Sequence, residues 1–134
     1  MKYLKHIIFV FVLFFIDLIS KEYFMLNFFD FKFLSLHYVQ NSGAVFGLFS
    51  GLNILFLILT LIILCVILYF YKKENNLQLG FDFVIAGALG NGVNRVLLNH
   101  VVDFIDFKFW PVFNFADVFV LVGVCILVFK LWKN

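Results

Sequence analysis

Two aspartates in the last third of the sequence are placed where they could hydrolyse a peptide bond. Asp103 follows the residues HVV, and Asp117 begins the last apolar run 14 positions later. Between them lies Trp110-Pro111, which can reverse the chain because proline restricts its own φ and the conformation of the residue before it. The helices on either side would then be antiparallel neighbours, and we expect the two carboxylates to lie close together.

Two close carboxylates in a partly dry site cannot both ionise cheaply, so one holds a proton while the other is charged. The charged member can draw a proton from water while the protonated member donates to the leaving amine. Because such a pair titrates as a unit, the roles of base and acid are not assigned to individual residues. Asp106 lies close to Asp103 in the sequence and is a second candidate as the partner of Asp117.

No metal ion or cofactor is expected from the histidines and cysteines. His6, His37 and His100 are not spaced as metal ligands, and His100 is interpreted as an interfacial or loop residue. Cys65 and Cys125 each occur in an apolar run without a CxxC pattern. Both cysteines are predicted to be small buried apolar side chains without a redox role.

Several other polar residues occur at the ends of apolar runs. Arg95 offers fixed donors, and the amides of Asn91 and Asn114 offer donors and acceptors together, a mixture that can hold an extended peptide. These three residues could equally satisfy the ends of their own helices, and spacing alone leaves both interpretations open. Asp17 and Lys21 are four positions apart, so on a helix they share a face and are predicted to pair.

The composition indicates that these residues are positioned by membrane helices. Hydrophobic residues make up 65% of the chain and charged residues 13%, whereas globular domains average about 45–50% apolar and about 25% charged residues. The net charge of +2 is spread without a basic block, which argues against nucleic acid as a partner and leaves membrane lipids. The length suits one membrane-embedded domain spanning residues 1–134.

The sequence predicts an all-α integral membrane fold with four transmembrane helices. Residues 52–71 contain no charge and are as long as a bilayer core of about 30 Å requires. The other three helices are predicted at about 6–20, 79–98 and 112–132. The first run could instead be a secretory signal peptide, but no small-x-small cleavage pattern follows it, which favours a retained helix.

Lysine pairs determine the predicted orientation. They precede the first run, follow the second and close the fourth, so four crossings put all of them on one side. The positive-inside rule makes that side the cytoplasm, with both termini cytoplasmic. The polar ends of the helices then lie near the outer face of the membrane. The pairs are Lys2 and Lys5, Lys72 and Lys73, and Lys130 and Lys133.

The segment between the first two helices is predicted to be β-rich and extracytoplasmic. Apolar and polar side chains alternate through FFDFKFLSLHY, with a change of phase at Phe33 and Leu34 that suggests a β-bulge. A small sheet on the membrane surface is expected, and an irregular amphipathic loop is the alternative. The phenylalanines of this segment could line an apolar groove for a substrate. They are Phe28, Phe29, Phe31 and Phe33.

Four blocks of the sequence resemble, in the same order, the motifs of bacterial lipoprotein signal peptidase (signal peptidase II). The blocks are FIDLISK (15–21), VQNSGAVFGLF (39–49), GALGNGVNRV (87–96), and VVDFIDF (101–107) leading to FNFADVFVLVG (113–123). Any single block is a weak signal, whereas their common order carries the resemblance. The family fold has four membrane helices and a small outer β-rich cradle, which agrees with the interpretation above.

The resemblance implies a membrane aspartic endopeptidase of the bacterial inner membrane, with its active site near the outer face. Such an enzyme removes the signal peptide from a diacylglyceryl-modified prolipoprotein by cleaving before the lipidated cysteine. The family's catalytic aspartates match Asp103 and Asp117. A cyclic peptide of the globomycin type is the implied inhibitor. The other motif positions, which the resemblance implies support the substrate or the site, are Asn41, Gly43, Asn91, Arg95, Asn114 and Asp17.

One residue departs from the family pattern. The third block is normally GNxxDR, and here Asn94 replaces the acid. We interpret the position as structural, because asparagine keeps the size and hydrogen-bonding reach without the charge. If that acid were catalytic, the chain would be an inactive relative that still binds precursors. The connection between Asp103 and Asp117 is also short for the family.

The alternative hypothesis is that the protein is not an enzyme but a small proton-coupled transporter or a channel subunit. Acidic side chains inside membranes also serve as proton relays. A transporter of this size would need to oligomerise around a pathway with acids near mid-membrane. The predicted acids cluster near one face instead, which favours the peptidase.

Overall fold

The computed structural model describes residues 3–43 and 52–133, and this part of the chain contains four long helices and a three-stranded sheet. Lys2 and positions 44–49 of the second motif block lie outside the described residues. The helices are α1 (Leu4–Leu26), α2 (Asn53–Tyr71), α3 (Gln78–Leu98) and α4 (Phe115–Lys133), and the strands are β1 (Phe29–Asp30), β2 (Ser35–Asn41) and β3 (Val101–Asp106). All four predicted helices are present, and α1 continues past its predicted end at residue 20.

Two of these helices are long and apolar enough to cross a membrane by length and composition. They are α2, with a mean hydropathy of 3.0, and α4, with 2.3. The other two helices are less apolar because they carry polar side chains that are buried in the protein. Asp17 and Lys21 of α1 are 0% and 2% exposed, and Asp82 and Asn94 of α3 are 1% and 5% exposed.

Helix α3 is the centre of the bundle, because α1, α2 and α4 all pack against it. Glycines allow the closest approaches. A Cβ atom at Gly87 would clash with the carbonyl oxygen of Ala116 in α4, and one at Gly90 would clash with the carboxylate of Asp17 in α1. The absence of side chains at these two positions therefore sets the distance at which α1 and α4 meet the central helix.

The sheet is antiparallel with the strand order β1-β2-β3. The predicted bulge at Phe33 and Leu34 is wrong, because the chain reverses there in a turn in which the Phe31 N–H donates to the Leu34 carbonyl at 2.8 Å. The irregular register lies instead between Leu36 and Val39 in β2. The third strand follows α3 and was not predicted, so the sheet is not confined to the segment between α1 and α2.

A polar contact joins three helices at the end of the bundle away from the sheet. His6 Nδ1 of α1 lies 2.6 Å from Asp82 Oδ2 of α3, and the Tyr71 hydroxyl of α2 donates to the other oxygen of Asp82. Asp82 is 1% exposed, and each of its carboxylate oxygens contacts a polar group from another helix. In contrast, Cys65 and Cys125 are exposed, so their predicted burial is wrong. They lie on the outward faces of α2 and α4, the two most apolar helices.

Candidate active site

Asp103 and Asp117 are held by opposite ends of one short connection. Asp103 lies in β3 and is 2% exposed, and Asp117 lies in the first turn of α4. Asn114 contacts both acids: its side-chain amide donates to Asp103 Oδ1 at 2.6 Å, and its backbone N–H donates to Asp117 Oδ2 at 3.1 Å. One residue thus links the two carboxylates, which the sequence predicts to be neighbours.

Each acid also receives an amide donor of its own. Asn41 Nδ2 donates to Asp103 Oδ2 at 2.8 Å, and Asn91 Nδ2 donates to Asp117 Oδ1 at 2.8 Å. The Asn41 contact follows from the sheet, because β2 pairs Val39 with Asp103 and so places Asn41 two residues further along beside the same carboxylate. These donors orient both carboxylates without adding charge to the site.

Both backbone polar groups of Val102, the residue before Asp103, are hydrogen-bonded by side chains. The Val102 N–H donates to Asn94 Oδ1 at 3.1 Å, and the Val102 carbonyl accepts from Asn114 Nδ2 at 3.2 Å. Asn94 therefore contacts backbone, and the neutral amide oxygen at this position supplies the acceptor that an acid would supply. This geometry agrees with the structural interpretation of the family departure.

A buried ion pair lies behind the two acids. Lys21 Nζ is 2.7 Å from Asp17 Oδ2, which confirms the predicted pairing, and it donates to Asn91 Oδ1 at 2.9 Å. Asp17 Oδ1 accepts from the Ala116 N–H at 2.8 Å, at the start of α4. Sequence reasoning left Lys21 out of the site, although its spacing from Asp17 was the available signal. Through Asn91, the lysine is connected to Asp117.

Gly43 and Arg95 lie at the margin of the site. The Gly43 N–H donates to Asn41 Oδ1 at 3.1 Å, which directs the NH₂ group of that amide towards Asp103. The guanidinium carbon of Arg95 lies 5.5 Å from the centroid of the Phe56 ring. Among the described residues, the guanidinium makes no hydrogen bond to either acid of the pair. Asn53 in α2 contacts the Arg95 carbonyl at 3.2 Å and had no signal in the sequence.

Burial changes the protonation of the pair. The pKa of the Asp103 carboxyl is raised from its usual range to about 7, first by burial and second by the charge of Asp117. The amides of Asn41 and Asn114 and the charge of Lys21 act in the opposite direction and are outweighed. The raised pKa of Asp103 therefore allows the pair to hold a proton near neutral pH.

Asp106 has a different environment from Asp103. Its Oδ1 accepts the Lys108 N–H at 2.7 Å, where Lys108 has a φ of 63°. This contact is typical of an aspartate that stabilises a tight turn. Asp103, not Asp106, shares Asn114 with Asp117.

Two clefts reach Asp117. The larger, about 930 Å³, lies between β2 and the connection from β3 to α4. The smaller, about 410 Å³, lies between α2, α3 and α4 and is mainly apolar. Arg95 and Asp117 line both clefts. The phenylalanines at 28, 29, 31 and 33 line neither cleft and are 40–67% exposed, so the predicted groove along them is not supported. Phe56, Phe109, Trp110 and Phe113 line the larger cleft instead.

Apolar helices around two neighbouring acids, one buried and one half-buried beside two clefts, are the features of a membrane enzyme with an acidic site. The family described as signal peptidase (SPase) II matches residues 9–133. The chain belongs to this family of membrane enzymes and is an aspartic peptidase.

Individual relatives agree with the family match. A lipoprotein signal peptidase from Halothermothrix orenii is 42% identical over 102 residues, covering 74% of this chain and 70% of the relative. One from Thermodesulfovibrio yellowstonii is 34% identical over 146 residues, covering 100% and 99%. Two structures of a bacterial membrane enzyme obtained by the in meso method are both 32% identical to the chain. The first has a TM-score of 0.87, and the alignment covers 96% of this chain and 88% of the matched chain. The second has a TM-score of 0.84, and the alignment covers 97% of this chain and 94% of the matched chain.

Proposed function

We propose that this chain cleaves diacylglyceryl-modified prolipoproteins before the lipidated cysteine, and that Asp103 and Asp117 activate the attacking water. The observation that carries the proposal is the contact of Asn114 with both carboxylates. The names of the relatives, lipoprotein signal peptidase, give the substrate class. The two acids and their amide donors support the proposed activation of water.

The reaction needs a single proton shared by the pair. The carboxylate that is charged draws a proton from water, the water oxygen attacks the scissile carbonyl, and the protonated carboxyl donates to the leaving amine. The donors Asn41, Asn91 and Asn114 hold the carboxylates in place throughout. Because these donors are amides, they support the pair in either protonation state. No metal ion or cofactor is part of this scheme.

The substrate reaches the acids along the smaller cleft. Its walls include Ile63 of α2, Val84 and Ala88 of α3, and Val120 and Val124 of α4. Such an apolar groove fits one face of a signal helix, and Asp117 at its end lies where that helix would present the scissile bond. A cyclic peptide of the globomycin type would compete for the same space, and membrane lipids would fill the groove of the free enzyme.

The placement in the membrane follows from charge. We propose that residues 1–134 form one domain with four crossings, in the bacterial inner membrane, with both termini cytoplasmic. The support is the position of the lysines, since Lys5, Lys72, Lys73, Lys130 and Lys133 all lie at the bundle end opposite the sheet. The acids are then near the outer face, where Asp17, Asn41, Gly43, Asn91, Arg95 and Asn114 support the site or the substrate.

The test is cleavage and binding of a diacylglyceryl-modified prolipoprotein by the purified wild type, by Asp103→Asn and by Asp117→Asn. We expect the wild type to cut before the lipidated cysteine and both variants to bind without cutting. Asp106→Asn is the matched control and should retain activity. A wild type that binds but never cuts would make the chain an inactive relative, and one that does not bind would refute the proposed substrate.

A further inference from the structure

The connection that follows β3 carries an aromatic wall of the larger cleft. This connection, residues 107–112, is called the aromatic loop here. Phe109 and Trp110 line the cleft and are 80% and 64% exposed. Large aromatic side chains that remain this exposed beside a cleft present a surface suited to an apolar ligand. The same cleft reaches Asp117, so whatever covers the wall lies next to the acid pair.

The base of the aromatic loop is fixed by β-type contacts. Ile105 and Phe113 exchange two backbone hydrogen bonds, of 2.9 and 3.1 Å, and so bring the two ends of the loop together. The ring of Phe107 packs at 5.9 Å from that of Phe113 and at 6.0 Å from that of Phe109. These contacts hold the base of the aromatic loop together. The orientation of the rest of the loop depends on a further contact, made by Lys108.

One side chain attaches the loop to the hairpin of β1 and β2. Lys108 Nζ lies 2.8 Å from Asp30 Oδ1 and donates to the Phe31 carbonyl at 2.9 Å. Ser35 donates to the same Asp30 oxygen, so the acid is held from both sides. Lysine and serine donors hold the pKa of Asp30 below its usual range, which keeps the acid charged. The tether joins residues separated by 78 positions in the sequence.

The backbone at the tether has an unusual conformation. Lys108 has a φ of 63°, in the left-handed region that residues with a Cβ seldom occupy. Its N–H is held by Asp106 Oδ1 at 2.7 Å. Glycine and asparagine are the residues that most readily adopt such a positive φ. Here the residue is a lysine, and its ammonium group bonds across to the hairpin.

We propose that Lys108 is a positioning residue that holds the aromatic loop against the acyl chains of the lipidated substrate. The inference rests on the proposed function, because it concerns the same substrate and a cleft that reaches the same acid, Asp117. The tether fixes the distance between the hairpin and the loop, and Phe109 and Trp110 then form an ordered apolar wall. Without the tether, the wall must be ordered during binding, and the affinity for long acyl chains falls.

The first experiment separates binding from chemistry. Lys108→Gly removes the tether and suits the positive φ, so it tests the side chain without straining the backbone. We expect KM for a dipalmitoylated substrate to rise about threefold, the range of an exposed ion pair, with kcat unchanged. For a dihexanoylated substrate the rise should be absent, since shorter chains cover less of the wall.

Three further variants give controls. Asp30→Ala should reproduce the change in KM, and Lys108→Arg should restore the wild-type value because it keeps the charge and the donors. Lys32→Ala removes an exposed lysine of the same hairpin that contacts the Phe33 ring, and should leave KM unchanged. Equal effects of Lys108→Gly on both substrates, or a loss of kcat with KM unchanged, would overturn the proposal.

A spectroscopic measurement does not depend on cleavage. Trp132 is the second tryptophan, at the far end of α4, and Trp132→Phe leaves Trp110 as the sole tryptophan, which can be excited at a wavelength that tyrosine does not absorb. In that background, Lys108→Gly should lower the emission anisotropy of Trp110, and Lys32→Ala should not. An unchanged anisotropy would show that the tether does not order the loop. Failure of the wild type to cleave either substrate would refute the proposed function instead.

Discussion

At the scale of single residues, neutral amides surround the acids. Asn41 and Asn91 each serve one carboxylate, while Asn114 serves both. A charged donor would favour the ionised form of its partner strongly, whereas an amide stabilises a carboxylate with less bias. The only ammonium group joined to this network in the described residues, Lys21, is bound to Asp17 and meets the pair through Asn91. The hydrogen-bond network is therefore compatible with a pair of carboxylates that shares one proton.

Removal of the shared amide should slow the reaction more than it weakens binding. For Asn114→Ala we expect kcat to fall about 10- to 100-fold, because hydrogen bonds to charged groups contribute about 1.5–3 kcal/mol. KM should change little. The matched control is Asn27→Ala, an exposed amide that donates to the Tyr23 carbonyl at 2.8 Å. A kcat close to that of the wild type would contradict the linking role of Asn114.

The pH profile of kcat/KM should be bell-shaped with its alkaline limb near pH 7. The pKa of Asp103 is raised to about 7, mainly by burial, so the shared proton is lost as the pH rises through that value. The acid limb appears where the pair takes up a second proton. Single-turnover cleavage from pH 4 to 9 measures both limbs. A rate that is flat across pH 6–8 would contradict catalysis by a shared proton.

The same raised pKa makes a prediction about stability. Between the ordinary value of 3.8 and about 7, the folded state binds a proton at Asp103 that the unfolded state does not. The free energy of unfolding therefore falls as the pH rises through this window. Asp103→Asn removes this dependence, so its Tm relative to the wild type should increase from pH 4 to pH 8. A constant difference in Tm would indicate that Asp103 is not buried as described.

At the scale of elements, the positions of glycines on α3 determine how closely its neighbours pack. Gly87→Ala should destabilise the protein by about 1–3 kcal/mol, because the new methyl group meets the Ala116 backbone and cannot be relieved by a side-chain rotation. Gly92→Ala is the matched control, since its nearest neighbour is the Thr60 methyl group at 3.8 Å. Thermal unfolding in detergent compares the two. Similar Tm values would contradict the close contact of α3 and α4.

Local patterns predict the helices and a small sheet between α1 and α2, but neither the third strand nor the turn between β1 and β2. Apolar runs about as long as a membrane span predict all four helices. The spacing of four positions between Asp17 and Lys21 predicts their ion pair. Strand β3 was missed because its pairing partner β2 lies about 60 positions earlier, and no local pattern carries that contact. The hairpin turn was mistaken for a bulge because Phe31 and Phe33 continue the apolar alternation while the chain reverses. The contact of Asn41 with Asp103 depends on both features.

At the scale of the whole molecule, the arrangement of the helices leaves a lateral opening. Helix α2 packs mainly on α3, and the smaller cleft lies where α2 and α4 remain apart. Both α2 and α4 are exposed and apolar over most of their length, so in the membrane placement proposed above lipid would surround this opening. A substrate that is itself anchored in the membrane can then reach Asp117 without leaving the bilayer.

A bulky side chain in the opening should exclude the substrate. Val124 lines the smaller cleft, and Val124→Trp should raise KM about tenfold, equivalent to about 1.4 kcal/mol of lost binding. Val128 lies one turn further along α4, is 61% exposed and lines neither cleft, so Val128→Trp is the matched control. Cleavage in proteoliposomes measures both variants. Equal KM values would place the route of entry elsewhere.

The acid pair and the side chains that support it come from five different elements of the fold. Lys21 comes from α1, Asn41 from β2, Asn91 from α3, Asp103 from β3 and Asp117 from α4. A chain whose fourth helix has not yet joined the others has one acid without its partner and cannot share a proton. If the proposed pair carries the reaction, hydrolysis by this chain therefore requires α4 to be packed against the other elements.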